Sequence, residues 1–415
     1  MIERYHLIPN YRCKVCGGKN IKKAIDLGFL PNPNKLLRES ELENYEEYPL
    51  EFYWCEDCTF FQQLDPVDSR TLFENNYTYQ TGVNAPAVAH FTSLAQAIKE
   101  SVKQKDLAVV IASNDGTEIG ILKKVAGFNK VIGVEPARNI AEIANSRGHE
   151  TINSFFGQDV GKSILLEYGK ADLVMANNVF AHIPDPKGFL QGIKDILSAN
   201  GVAIIEVQWI KNFVEKIAIE MLYAEHMYVW SAMAMKRICR ETGLVVTRVD
   251  ILEDQQGGSL RFWIKIIGKE TKKLDRVEQQ AGIQSKEVML NLQHMADLRM
   301  SKLKNQIRKL RENGKTIDIW SVPAKVPIIL NYGGINNNDI RVAYDSTPTK
   351  INRYIPKANI KIIDEASLTP RMKEPPDYII IGAWNYLNYA IKKLSWFTNS
   401  GGTLINLLDG EFIKP

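Results

Sequence analysis

Two C-x-x-C pairs constrain this chain more than any other feature. Cys13 and Cys16 lie in R-C-K-V-C-G-G, and Cys55 and Cys58 lie in Y-W-C-E-D-C-T. Two such knuckles bring four thiolates into a closed tetrahedral cage, the coordination that Zn²⁺ favours. Four sulfurs leave no open position for a substrate, so the metal is expected to be structural. Gly17 and Gly18 let the backbone turn tightly around it. The competing readings are two disulfides or four reduced thiols, and the paired spacing favours metal over both. The remaining cysteine, Cys239 in M-K-R-I-C-R-E, is expected to be an inert core thiol on a helix.

With 415 residues, 45% of them hydrophobic, the chain has enough material for two to four domains with sizeable cores. A formal charge of +4 is small for this length and argues against a dedicated nucleic-acid binder. No segment carries the ~18 uncharged apolar residues of a membrane span. The opening run M-I-E-R-Y-H-L-I-P-N lacks the apolar core of a signal peptide. Together with reduced cysteine pairs, this predicts a cytoplasmic protein.

Residues 1–68 read as the cysteine module, with a loop at Pro31, Asn32, Pro33 and Asn34 and no long helix. An amphipathic helix over 86–103 opens the next module, 69–267. Apolar runs at Leu107–Ala112, Val131–Val134, Leu173–Ala176 and Val202–Val207 read as strands separated by helical patterns. That alternation predicts a parallel sheet wrapped by helices. From 268 to 313 the chain is highly charged and helical, as solvated helices bridging two domains would be. Strand-like runs then resume at Thr316–Trp320, Val342–Tyr344, Tyr378–Gly382 and Thr403–Leu407, giving 268–415 a helical linker and a second, smaller doubly wound sheet. The expected class is α/β, with a small zinc-binding N-terminal domain followed by two Rossmann-like domains.

Directly after the first of these strands comes A-S-N-D-G-T-E, a turn of small residues where backbone can approach a ligand. Twenty residues past Asp115 stands Glu135, closing V-I-G-V-E-P, where a carboxylate can accept hydrogen bonds from both ribose hydroxyls. A later strand ends in N-N-V-F-A-H-I-P-D. This order fits S-adenosylmethionine better than NAD, because no G-x-G-x-x-G is present to cradle a pyrophosphate. The candidate cofactor residues are Ala112, Ser113, Asp115, Gly116, Glu135, Pro136 and Asn177. Each feature alone could equally be an ordinary loop with a surface acid.

E-M-L-Y-A-E-H-M-Y-V-W-S gathers Tyr223, Glu225 and His226 within four positions. His182 follows the third strand, and Tyr77 and Tyr79 lie where the first module meets the second. Histidine is the usual general base near neutral pH, an adjacent carboxylate can orient its ring or hold its charge, and tyrosines can donate to a developing oxyanion. The opposing reading is a packed aromatic helix with one partnered histidine.

The whole chain resembles the nucleotide-sugar C-methyltransferases, which use S-adenosylmethionine to methylate carbon 3 of a dTDP-linked 4-keto-deoxysugar in branched-sugar biosynthesis. The matching stretches are the two knuckles, D-L-G-F-L-P-N-P-N, S-N-D-G-T, V-I-G-V-E-P-A, A-N-N-V-F-A-H-I-P-D, Y-A-E-H, Q-G-G-S-L-R, Y-D-S-T-P-T-K-I-N-R-Y-I-P and A-W-N-Y. The resemblance implies three domains, zinc-binding, methyltransferase and C-terminal Rossmann-like, with the active site between them. It also implies that His226 is the general base, with Tyr223, Glu225 and His182 beside it. A tyrosine from the end of the first domain falls on Tyr77 or Tyr79. Tyr79, Lys325 and Asn385 are the implied substrate contacts.

Two departures stand out. The family pattern E-I-G-S-N-D-G is here Val110, Ile111, Ala112 and then S-N-D-G, so a carboxylate and a glycine are missing. The C-terminal turn G-x-G-A-x-x-K is here I-W-S-V-P-A-K, retaining Ala324 and Lys325. The implied function is therefore C3-methylation of a nucleotide-linked ketosugar. The alternatives are methylation of another sugar position or keto acceptor, and a degenerate, non-catalytic ligand-binding homologue.

Overall fold

The computed structural model describes residues 11–413, apart from 74–76, 78, 254 and 256. Its first sheet is antiparallel. Strand β1 (Ile21–Pro31) pairs with β2 (Glu47–Cys55), which pairs with the short β3 (Phe61–Gln62). Among the described residues no helix in this region exceeds five residues, as the sequence predicts.

The helix Ala85–Ser101 leads into the central sheet. Asn84 caps it through Ala87 N–H, and its apolar face buries Phe91, Leu94, Ala95 and Ile98. The central chain contributes β4 (Leu107–Ile111), β5 (Lys130–Val134), β6 (Thr151–Ile152), β7 (Ala171–Asn177), β8 (Leu197–Gln208), β9 (Tyr228–Val229), β10 (Val245–Leu252) and β11 (Ser259–Lys265). Its sheet runs β10-β11-β8-β7-β4-β5-β6, parallel from β6 through β8, with β11 and β10 joining antiparallel. Every residue of β4 and β7 is buried, the pattern of strands covered by helices on both faces. From β4 the chain winds outward first to β5 and β6 and then to β7 and β8. The switch point between β4 and β7 opens a crevice beyond Ile111 and Asn177. The ninth strand does not join this sheet. Tyr228 and Val229 pair with Gln62 and Phe61, completing the first sheet.

The third sheet comprises β12 (Ile317–Trp320), β13 (Ala343–Asp345), β14 (Tyr354–Ile355), β15 (Ile360–Asp364), β16 (Tyr378–Ile381), β17 (Thr403–Asn406) and β18 (Phe412–Ile413). Its order is β14-β15-β13-β12-β16-β17-β18, with a parallel centre and antiparallel edges. The strands read from the sequence are present. Those not read are β1 to β3, β6, β9 to β11, β14, β15 and β18.

The charged region corrects the expectation of simple solvated helices. Its longest helix, Leu292–Glu312, buries Leu292, Ala296, Met300, Leu303 and Ile307. Steps of three and four place these on one stripe, and the charges cover the opposite face. This helix does bridge. Gln293 accepts from the backbone of Asp26 at 2.7 Å and donates to Tyr332 Oη at 2.7 Å. An isolated backbone bridge also joins Leu37, in the segment between β1 and β2, to Tyr354 of the third sheet. Cys239 is fully buried in the helix Ala232–Glu241, as expected of a core thiol. Among the described residues, no helix is long and apolar enough to cross a membrane.

Candidate active site

The four knuckle sulfurs lie within 4.8 Å of one another, Cys13 to Cys58 at 3.5 Å and Cys16 to Cys55 at 3.6 Å. A tetrahedron with ~2.3 Å metal–sulfur bonds has edges of roughly 3.8 Å, so the cage fits zinc. The cysteines form no disulfide. Gly17 adopts a left-handed φ of +69°, and a Cβ on Gly18 would meet Asp57 Oδ2 at 2.2 Å. A side chain at 18 would therefore displace the second knuckle. The cage is the metal site of a zinc-binding domain.

At the central crevice, β4 ends in left-handed Ala112 (φ +53°), Asn114 (φ +50°) and Gly116 (φ +81°). Alanine tolerates the conformation at a cost of about 1–2 kcal/mol, so the turn survives the loss of the family's glycine. The lost carboxylate falls at Val110, which packs in an apolar cluster with Leu94, Ile98 and Met175. Glu135 accepts Asn114 N–H and Ala137 N–H, each at 2.9 Å, and burial raises its pKa to about 6. Pro136 O accepts from Asn153 at 2.9 Å. Asp115 is fully buried and engaged by Thr117 Oγ1 at 2.7 Å, Gly82 N–H at 3.0 Å and Arg147 at 2.8 Å. Its carboxylate organises the turn. Ser113 Oγ and Asn177 Oδ1 are buried without a hydrogen-bond partner among the described residues. Orphaned acceptors at the ends of β4 and β7, beside Glu135, fit the polar groups of S-adenosylmethionine.

The histidine lies where the first two domains meet. His226 Nδ1–H donates to Met221 O at 2.6 Å, which leaves Nε2 carrying the lone pair. The Tyr223 hydroxyl donates to that Nε2 at 2.7 Å, and Gln208 Nε2 lies 3.4 Å from it. Burial, with the charges of His182 and Lys325, holds the His226 pKa well below its ordinary value. His182 donates from Nδ1 to Glu225 O at 2.5 Å, and its ring lies 4.9 Å from that of His226.

The Glu225 side chain does not orient the neighbouring ring. Its Oε1 accepts instead from Asn34 of the zinc module at 2.8 Å, and burial raises its pKa to about 7. A backbone carbonyl sets the tautomer where the sequence suggested a carboxylate.

Tyr77 stacks edge-on to Phe73 at 5.7 Å, and Phe73 meets His182 at 5.4 Å. Burial and the charges of Glu225 and Glu135 raise its phenol well above the ordinary range. Tyr79 is 46% exposed, and its carbonyl accepts from Asn114 at 3.1 Å. At the start of the helix Lys325–Gly333, which follows β12, Lys325 donates to Asn385 Oδ1 at 3.1 Å and lies 4.7 Å from the Trp384 ring centroid. Burial lowers its pKa to about 8. Ser321, in the departed glycine-rich run, keeps a left-handed φ of +67°.

Sequence reasoning missed a buried network beneath the crevice. Glu118 accepts from Asn177 at 2.8 Å, and Glu206 accepts from Arg261 at 2.5 Å and pairs with His90 at 2.8 Å. It also missed Gln63, whose side chain donates to His226 O at 3.0 Å and Tyr223 O at 3.3 Å. These partners lie far apart in the chain, and no local spacing signals them.

A parallel sheet with this switch-point turn, joined to a four-cysteine zinc domain, defines an S-adenosylmethionine-dependent methyltransferase. Residues 13–73 match the family described as "Putative zinc binding domain", 112–249 the "Methyltransferase domain" and 254–408 the "C-methyltransferase C-terminal domain". The chain is a C-methyltransferase homologue, 26% identical over 406 residues to C-methyltransferase NovU of Streptomyces niveus, covering 96% of this chain and 95% of that protein. Solved structures similar to it include magnesium protoporphyrin IX methyltransferase (ChlM) from Synechocystis PCC 6803 with bound SAH, at 14% identity, TM-score 0.33, 43% of this chain and 84% of that one. Another is the plantazolicin methyltransferase BamL with SAH, at 12% identity, TM-score 0.34, 43% of this chain and 84% of that one.

Proposed function

We propose that the protein methylates carbon 3 of a nucleotide-linked 4-keto-deoxysugar, with dTDP as the nucleotide, in branched deoxysugar biosynthesis. The observation that carries this reading is the fixed, neutral imidazole of His226, its Nδ1–H spent on Met221 O and its Nε2 lone pair met by the Tyr223 hydroxyl. Methylation at carbon needs a carbanion, and a buried neutral histidine suits the removal of a proton made acidic by a neighbouring ketone.

In this reading Tyr223 turns from Nε2 to the ketone oxygen as the acceptor enters. His226 Nε2 then takes the C3 proton, and hydrogen bonds from Tyr223 and Tyr77 stabilise the enediolate oxygen; His182, whose one N–H is spent on Glu225 O, lines the pocket and does not donate to that oxygen. Glu225, held by Asn34, shapes the pocket beside them. Ala112, Ser113, Gly116, Glu135, Pro136 and Asn177 hold S-adenosylmethionine, which supplies an electrophilic methyl on its sulfonium. Tyr79, Lys325 and Asn385 hold the nucleotide-sugar from the opposite side. The left-handed backbone kept at Ala112 and Ser321 favours an intact enzyme over a degenerate binding homologue.

The test is incubation with labelled S-adenosylmethionine and a panel of nucleotide 4-ketosugars, with exchange of the C3 hydrogen followed in deuterated water. Exchange without methyl donor and transfer with it are expected for a dTDP-linked acceptor. Transfer to a different carbon or keto compound would move the assignment to that acceptor. Neither exchange nor transfer with any ketosugar would refute it.

A further inference from the structure

We infer that Arg299, on the long linker helix, is a positioning residue that fixes the tautomer of His226 by holding the segment Ile217–Met221. The inference rests on the proposed role of His226 as the base.

Among the described residues the imidazole has one partner for Nδ1, the backbone carbonyl of Met221. Its tautomer is therefore only as fixed as that carbonyl. The segment carrying it begins under strain, because Ile217 sits at a left-handed φ of +49°, a conformation unfavourable for a β-branched side chain. A single turn, Ile219–Met221, follows.

Arg299 clamps both ends of this stretch. Its Nη1 donates to Ile217 O and to Glu220 Oε2, the latter at 2.9 Å, and its Nε donates to Leu408 O of the third domain. The Glu220 side chain is fully buried, and that of Arg299 is 11% exposed. Glu220 immediately precedes Met221, so the ion pair is one peptide from the carbonyl that receives the ring. Lys325 also feels the charge of Glu220.

A carboxylate buried this deeply needs its guanidinium, and a lysine cannot reproduce a fork that reaches several acceptors at once. Without the clamp, Met221 O is free to shift and the ring can take the opposite tautomer. That form would present an N–H to the substrate, with no lone pair to accept a proton.

The experiment compares wild type, Arg299→Met and Arg299→Lys, labelled with ¹⁵N-histidine; His226→Asn assigns the His226 signals. Wild type should show a protonated Nδ1 and an unprotonated Nε2, and Arg299→Met a mixture of both tautomers. Hydrogen exchange into a dTDP-linked 4-ketosugar should fall between about tenfold and about a hundredfold in kcat, the scale of a small misplacement of a catalytic group. KM for the ketosugar and affinity for S-adenosylhomocysteine should stay close to wild type.

Arg299→Lys keeps a charge for Glu220 and should fold even where the methionine variant does not, with an intermediate loss and a partly mixed tautomer. A wild-type tautomer in either folded variant, whether exchange persists or is lost, overturns the inference. Failure of the functional reading looks different. Wild type would then exchange no hydrogen with any ketosugar, while the tautomer shift on removing Arg299 would still support the clamp.

Discussion

Asn34 of the zinc module donates a hydrogen bond of 2.8 Å to Oε1 of Glu225, the residue beside His226, the proposed base. Gln63, from the same module, holds the carbonyls of Tyr223 and His226. The cysteine module thus supports one wall of the pocket. Replacing Cys13, Cys16, Cys55 or Cys58 by serine, or stripping the metal, should abolish a content of about one zinc per chain. The same treatment should lower the unfolding temperature and reduce hydrogen exchange in parallel. Elemental analysis and thermal unfolding check this; full activity in zinc-free protein would show that the cage does not hold the wall.

His226→Asn should reduce C3 exchange and methyl transfer by about 10²–10⁴-fold, the usual contribution of a general base. Affinity for S-adenosylhomocysteine, measured by titration calorimetry, should be nearly unchanged. Exchange that persists in this variant and vanishes in His182→Asn or Tyr77→Phe would reassign the base.

Glu135 accepts two backbone N–H groups and retains lone pairs for a ribose. Glu135→Ala should weaken S-adenosylhomocysteine binding by one to two orders of magnitude, or roughly 1.5–3 kcal/mol for hydrogen bonds to a charged group. Calorimetry showing wild-type affinity would move the ribose elsewhere.

Ala112 holds a left-handed conformation at the end of β4. Relief of about 1–2 kcal/mol of strain opposes the roughly 0.5–1 kcal/mol entropic cost of glycine, so Ala112→Gly should be neutral or mildly stabilising. A clear loss in denaturant midpoint would mean that the alanine methyl contributes packing to the turn.

Burial, reinforced by the charges of Glu206 and Asp115, raises the Glu118 pKa to about 8 from an ordinary 4.5. Between those values the folded chain binds the extra proton, so this group lowers stability as pH rises through that window. Glu118→Gln should melt higher than wild type at about pH 9, with the gap closing near about pH 5. A difference independent of pH would show that Glu118 does not titrate in this range.

The parallel strands were legible because burial on both faces writes them as continuous apolar runs, as in Leu107-Ala-Val-Val-Ile111. The outer hairpin was not. In β10, V-V-T-R-V-D-I-L buries only Val246 and Val249, and a register shift between Val246 and Arg248 breaks the alternation. The linker helix hid its stripe from Leu292 to Ile307 behind charge. At the site, short-range patterns such as Tyr223 to His226 could be read. The Met221 carbonyl, Asn34 and the Glu206–Arg261 pair could not, because backbone acceptors and distant partners leave no spacing in the chain.

The outer side of β3 is covered by β9, only two residues beyond His226. Phe60 lies against Tyr228 and Trp230, and Thr59 bonds Ser231 at 2.9 Å. Excising the cysteine module after residue 73 would bare that strand edge and its aromatic residues, a template for pairing with other chains. The module is not a portable cassette. A chimaera that exchanged it between related enzymes would have to carry Tyr228–Ser231 along with it, and with them the loop that bears His226.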